Sequence, residues 1–178
     1  MRLVILDRDG VINEDSDAFI KSPQEWRPLP GSLEAIARLT QAHYHVLVVT
    51  NQSGISRGLF DLDTLHQIHA RMQLELAHKG GRIDAIYYCP HAPDDGCQCR
   101  KPKAGMFRDL ATRLKIGLDN VAAIGDSRRD LQAAQAVNAR PILVRTGKGR
   151  DTEQQGVEGT EVYDDLAAAV DQLLAEQA

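Results

Sequence analysis

The chain has 178 residues, 43% of them hydrophobic and 26% charged, with a formal net charge of −4. That is enough chain for a domain with a sizeable core, while the acidic balance and the lack of a long basic run exclude a broad nucleic-acid footprint. No apolar stretch approaches the ~20 residues that a membrane span needs, the opening MRLVILDRDG lacks a signal-peptide cleavage site, and a reducing, cytoplasmic location is expected.

Residues 3–6 (LVIL) read as a buried strand that ends in Asp7-Arg8-Asp9-Gly10. A polar loop follows over residues 13–30, containing Asp15, Ser16, Asp17, Ala18, Lys21 and Trp26. Leu33, Ile36, Ala37 and Leu39 have the spacing of an amphipathic helix that starts after Pro30-Gly31-Ser32. Residues 46–49 (VLVV) form a second strand ending in Thr50-Asn51-Gln52-Ser53-Gly54. Leu62, Leu65, Ile68, Met72 and Leu76 mark a longer helix, on which His66 and His69 read as ordinary helix residues. A third strand at 85–88 (AIYY) runs into CPHAPDDGCQCRKP, which holds every cysteine of the chain. Met106, Phe107, Leu110 and Leu114 mark the next helix, and residues 121–124 (VAAI) a strand ending in Gly125-Asp126-Ser127. Leu131, Ala134 and Val137 predict a helix, 142–144 (ILV) a strand and 166–174 a final helix, with 147–161 expected as an exposed polar loop. Apolar strands alternating with helices predict the α/β class: a Rossmann-like parallel sheet with helices on both faces. A single domain over 1–178 is expected, with no room for a large cap domain.

Ligands in such sheets bind outside the carboxyl ends of the strands, so Asp7, Asp9 and Asp126 are expected to meet at one edge. Each aspartate alone also suits a helix cap or a turn. Together they need a counter-charge, and hard oxygen ligands without thiolate or imidazole suit Mg²⁺. A carboxylate can take up a phosphoryl group, and a second one two residues away can move the proton. Thr50 offers a hydroxyl, and the loop Asn51-Gln52-Ser53 offers N–H groups for phosphate oxygens.

Cys89, His91, Cys97 and Cys99 match the Cys₃His set of structural zinc sites. Three cysteines leave one without a disulfide partner, and Cys97 and Cys99 are too close to bridge without strain. Zn²⁺ with four ligands would be structural and would order a loop at residues 89–99 that has almost no apolar side chains. It would also hold Arg100 and Lys101 beside the sheet edge.

DRDGVIN, VVTNQSG, RKPKAGM and IGDSRRD resemble, in order, the four motifs of haloacid dehalogenase-superfamily phosphatases. Within it, DRDGVIN with TNQSGISRG and the C-x-H-x₅-C-x-C-R-K-P cluster is similar to the family of heptose-1,7-bisphosphate 7-phosphatases. The resemblance implies the HAD fold and a phosphomonoesterase acting on a sugar bisphosphate made for the lipopolysaccharide core. Asp7 is then the nucleophile and Asp9 the acid/base. Asp7, the Asp9 main-chain carbonyl and Asp126 would be Mg²⁺ ligands, and Thr50 and Lys101 would hold the transferring phosphoryl group. Asp15, Ser16, Asp17, Ala18, Asn51, Gln52, Ser53, Arg100 and Ser127 would contact substrate, although residues 15–19 depart from the commoner His-Gly-Tyr-like stretch. Arg57, Arg100, Arg128 and Lys148 are candidates for a second phosphate. Histidinol-phosphate phosphatases share the metal cluster and remain an alternative, as does a non-enzymatic zinc-stapled binding module. No nucleic acid or membrane partner is implied, and a monomer is expected.

Overall fold

Aliphatic and β-branched runs alternate with amphipathic stretches along the chain. In the computed structural model, which describes residues 1–176, they form alternating strands and helices. In chain order these are β1 (Arg2–Leu6), α1 (Ser32–Gln41), β2 (Tyr44–Asn51), α2 (Leu62–His78), β3 (Ala85–Cys89) and α3 (Gly105–Leu114). Then follow β4 (Ala122–Gly125), α4 (Arg128–Gln135), β5 (Arg140–Val144), α5 (Gly149–Gln154), β6 (Glu161–Tyr163) and α6 (Leu166–Ala175). The strands pair in parallel in the order β3-β2-β1-β4-β5-β6. The chain winds outward from β1 through β2 to β3, then returns to the other side of β1 for β4. The crevice beyond the ends of β1 and β4 is therefore the switch point where doubly wound sheets bind ligands.

Strand β1 shows why both faces are covered. Val4 and Leu6 point into a core with Leu33, Ile36 and Leu39 of α1, Ile68 and Met72 of α2, and Val170 of α6. Leu3 and Ile5 point the other way, onto Met106, Phe107 and Leu110 of α3 and Ala133 and Ala134 of α4. Alternate side chains of a strand face opposite sides, so a strand apolar at every position needs a helix layer on each.

Two expectations change. Trp26, grouped with the polar loop, is fully buried in the first core, with the Arg71 guanidinium 5.9 Å above its ring. Residues 147–161 are not a plain loop, because they hold α5 and lead into β6. Neither carries a sequence signal. Helix α5 buries only Gly149 and Thr152, so it lacks an apolar stripe, and β6 is a three-residue edge strand of half-buried side chains. Their shape comes from docking onto β5.

Candidate active site

Asp7 follows the last residue of β1, and its N–H donates to the Ile124 carbonyl of β4 at 2.9 Å, which sets it at the switch point. Its Oδ1 accepts from the Arg8 N–H at 2.7 Å and pairs with Lys101 Nζ at 3.0 Å. Lys101 is buried, and its three donors are matched by three acceptors: Asp7 Oδ1, Asp130 Oδ1 at 2.7 Å and the Val49 carbonyl at 2.7 Å. Burial alone would pull its pKa down, but Asp130 and Asp7 outweigh burial and hold it above the ordinary lysine value. The ammonium is thus a fixed positive charge against Asp7.

In the sequence Asp130 stands one helical turn beyond Asp126 with no role assigned to it, although Ser127-Arg128-Arg129-Asp130 has the spacing of a capping box. Its Oδ2 accepts from Ser127 Oγ at 2.7 Å, Ser127 N at 2.9 Å and Asp126 N at 3.2 Å. One carboxylate therefore caps α4 and anchors Lys101. Ser127, expected at the substrate, spends its hydroxyl on this cap.

Asp9 is clamped from one side. Its Oδ1 accepts from Arg8 Nη2 at 2.8 Å, Arg8 Nε at 3.1 Å and Asn13 Nδ2 at 2.9 Å, and its Oδ2, among the described residues, accepts only from Gln52 Nε2 at 2.9 Å. Burial raises its pKa, but Arg8, Asn13 and Gln52 hold it below the usual carboxylate range. Arg8 is wholly buried, and its Nη1 lies 3.2 Å from His69 Nε2 on α2. A guanidinium can only donate, so His69 accepts there as the neutral ring with its proton on Nδ1. Burial first, then Arg8, push His69 down to about 3.

Asp126 ends β4 and takes the Lys148 N–H on Oδ2 at 2.8 Å. Gly10, in the left-handed region at φ +81, and Gly147 both press against this carboxylate, and a Cβ on either would overlap Oδ2. Burial and Asp130 push Asp7 up to about 7 despite Lys101, and burial, Asp130 and Asp7 push Asp126 up to about 8. The carboxylate oxygens of Asp7, Asp126 and Asp130 gather within 4.8 Å of one another. Asp130 has both oxygens engaged. Among the described residues, Asp7 Oδ2, Asp126 Oδ1 and the Asp9 main-chain carbonyl accept no hydrogen bond. Those three oxygens belong to the residues expected to bind a hard divalent cation, and they fit one.

The cysteine loop converges independently. Cys89 Sγ lies 3.1 Å from Cys99 Sγ, 3.7 Å from Cys97 Sγ and 3.4 Å from His91 Nδ1, which is 3.2 Å from Cys99 Sγ. Tetrahedral bonds of ~2.0–2.3 Å place ligand atoms ~3.3–3.8 Å apart, so the donors fit zinc. The sulfurs are too far apart for disulfides, and all three cysteines are free. The loop is tied to the end of β2: Gln52 N donates to the Cys89 carbonyl, Ser56 N to the Pro90 carbonyl, and Ser56 Oγ to Asp95 Oδ2.

Above these residues opens a cavity of about 300 Å³. Asp7, Asp9, Lys101 and Asp126 line it, with Asp15, Ser16 and Asp17 on one wall, Asn51, Gln52 and Ser53 on another, and Arg100 and Ser127 at its sides. Thr50 is buried beneath, its Oγ1 accepting from Gln52 Nε2. Asn51 reaches the cavity but uses its side-chain amide to grip the main chain of Lys101, at 3.0 Å both ways. Ala18 is exposed and outside; Phe19 takes the place on the wall. Arg57 and Arg129 also line the cavity, whereas Arg128 turns away to the Gln155 and Gly156 carbonyls. Lys148 stands near Asp15 at 3.4 Å.

A HAD-hydrolase-like family model matches residues 98–169. The D-glycero-beta-D-manno-heptose-1,7-bisphosphate 7-phosphatase of Bordetella bronchiseptica is 61% identical over 178 residues, 99% of either chain. The chain belongs to this family of HAD phosphatases. The Pseudomonas putida relative of the same name is 55% identical over 98% of this chain and its whole length. A crystal structure of the B. bronchiseptica heptose bisphosphate phosphatase complexed with magnesium and phosphate superposes with a TM-score of 0.97 over 99% of both chains. The fold and class of reaction are therefore those of a heptose-bisphosphate phosphatase family member.

Proposed function

We propose that this chain removes the 7-phosphate of D-glycero-D-manno-heptose 1,7-bisphosphate, with Mg²⁺ as cofactor and phosphorylated Asp7 as intermediate. Relatives named for the beta-anomeric substrate and identical at more than half of positions support the substrate. The observation that carries the mechanism is Asp7 held against the buried Lys101, facing Asp126, with Asp9 clamped two residues on.

An Asp7 carboxylate oxygen attacks phosphorus in line, and the bond from phosphorus to the sugar oxygen breaks. Asp9, kept ionised by Arg8, Asn13 and Gln52 until substrate arrives, takes up a proton as the phosphate dianion binds beside it and gives that proton to the sugar oxygen. It then takes a proton from water, which attacks the phosphoryl-Asp7 and releases phosphate. With Oδ1 occupied by Arg8 and Asn13, Oδ2 is the oxygen that carries the proton, once the Gln52 amide yields. Lys101 balances charge on the phosphoryl oxygens, and Ser53 on the cavity wall offers its hydroxyl and its single main-chain N–H to them. Asp7, Asp126 and the Asp9 carbonyl would hold Mg²⁺, which neutralises charge on the transferring phosphoryl group. Cys89, His91, Cys97 and Cys99 would hold Zn²⁺ with no open position, so its part is structural.

Phosphate release from alpha- and beta-heptose bisphosphate and from histidinol phosphate, measured side by side with Mg²⁺, should rank the beta-heptose substrate first. Faster turnover of histidinol phosphate would overturn the substrate. Asp7→Asn should lower kcat by ~10³-fold or more. Rapid-quench mass spectrometry should find the phosphoryl group on Asp7, and an active Asp7→Asn variant would remove the mechanism.

A further inference from the structure

Asp9 rests on a support that does not reach the cavity. Arg8 and His69 are both buried, and neither is among the residues that line the space above Asp7. Asp9 Oδ1 takes two N–H groups from one guanidinium, Arg8 Nε at 3.1 Å and Nη2 at 2.8 Å. The remaining nitrogen, Nη1, lies 3.2 Å from His69 Nε2. Among the described residues the Arg8 side chain makes no further hydrogen bond, so His69 is its one anchor besides Asp9. A guanidinium is planar, so holding Nη1 also fixes the direction in which Nε and Nη2 point.

The anchor suits its task in two ways. Helix α2 buries Leu65, Ile68, Met72 and Leu76, and His69 is the one polar residue on that face. Ile68 and Met72 pack in the same core as Val4 and Leu6 of β1, so the ring is held to the strand that carries Asp7. The ring also accepts a hydrogen bond without bringing a negative charge. Burial and Arg8 keep it neutral, with a pKa pushed down to about 3. A carboxylate in its place would share the Arg8 charge, and among the described residues Arg8 is the ion-pair partner of Asp9. Asp9 Oδ1 is thus the fixed end of the carboxyl, and Oδ2, held by the Gln52 amide alone among the described residues, is the working end.

We infer that His69 is a positioning residue for the reaction: through the Arg8 guanidinium it fixes the Asp9 carboxyl so that Oδ2 faces the sugar oxygen that leaves. The inference rests on the proposed role of Asp9 as the acid that protonates this oxygen. Misplacing a reacting group by about 1 Å can cost ~10²-fold in rate.

The test compares two phosphate esters in wild type, His69→Leu, His69→Gln and Asp9→Asn. Heptose 1,7-bisphosphate loses a sugar alkoxide, which needs a proton, whereas p-nitrophenyl phosphate loses a phenolate, which does not. The ratio kcat/KM covers events up to departure of the alcohol, so it isolates the acid. His69→Leu should lower kcat/KM on the heptose ester ~10-fold or more, through kcat, and on the aryl ester by less than about threefold. His69→Gln, whose side-chain carbonyl can accept from Arg8, should restore the heptose ester to within about threefold of wild type. Equal losses on both esters, a loss carried by KM, no loss in His69→Leu, or no rescue by His69→Gln would overturn the positioning role. If His69→Leu does not fold, His69→Ala is read by the same criteria. In the wild type, ¹⁵N NMR at neutral pH should find His69 Nε2 without a proton, and a protonated Nε2 would overturn the proposal whatever the variants do. Equal losses on the two esters in Asp9→Asn would sink the acid itself, whereas an ester-selective loss there without one in His69→Leu would sink the positioning alone. Absence of wild-type turnover of the heptose ester would sink only the substrate, and fructose 1,6-bisphosphate, also an ester of primary alcohols, then takes its place.

Discussion

Arg8 sits between the two aspartates of the DRDG motif, yet it is the least exposed charged side chain near the site. Its charge is met by Asp9, and its far end by a histidine from α2. The ordinary imidazole pKa lies near 6.5, whereas folded His69 takes a proton only near 3. Between those values the unfolded chain binds more protons than the folded one. The contribution is whole above about pH 6.5 and is lost as pH falls. From about pH 7.5 to about pH 5, His69 should remove about 2 kcal/mol of stability. Urea unfolding of wild type and His69→Gln at both pH values, with saturating Mg²⁺, isolates that loss, because the other titrating groups are common to both chains. Equal pH slopes would remove His69 as the cause. The sequence reading treated His69 as ordinary because helical spacing shows which face a residue shares, and says nothing of what β1 sends to meet it.

At the scale of elements, the segment from Cys89 to Lys101 links three parts of the site. It starts at the end of β3, is pinned to the β2 loop through Ser56 and Gln52, and delivers Lys101 between Asp7 and Asp130. Pro90, Ala92, Pro93, Asp94, Asp95 and Gly96 bring too little apolar surface to hold it. Structural zinc supplies ~10–16 kcal/mol in small peptides, comparable to the whole stability of many domains. Removal of the metal by a chelator, or Cys97→Ser, is expected to cut kcat/KM at least tenfold while far-UV circular dichroism stays near that of wild type. Metal analysis should find one zinc per chain. Full activity in a zinc-free sample would show that the loop orders Lys101 unaided. The same scale explains what stayed hidden: α5 and β6 lack periodic apolar residues and exist by docking on β5.

For the whole molecule, the site draws on the ends of β1, β2 and β4, and each of those strands is packed on both faces. A ligand bound there should stabilise the sheet and both helix layers together. With Mg²⁺ and inorganic phosphate present at ~100 times the dissociation constant, the gain is about 2.7 kcal/mol, a rise of about 5–10 °C in Tm for a chain of this size. Calorimetry should show one transition moving as a unit. Asp126→Asn should lose the Mg²⁺-dependent part of the shift. Two separating transitions would mean that the chain is not one cooperative domain.

Five of the six strands, the helix faces and the meeting of Asp7, Asp9 and Asp126 were readable from the residue string, because period and strand-end position dictate them locally, whereas the order of the strands in the sheet was not. The convergence of Cys89, His91, Cys97 and Cys99 was readable for the same reason: they lie within eleven residues. The partners that tune these groups were not. Asp130 and Asp7 share Lys101 across three segments, Trp26 enters the core from a polar loop, and Arg129, not Arg128, faces the cavity. Those facts depend on which atoms remain unpaired once the helices dock, and neighbouring residues in the chain carry no record of that.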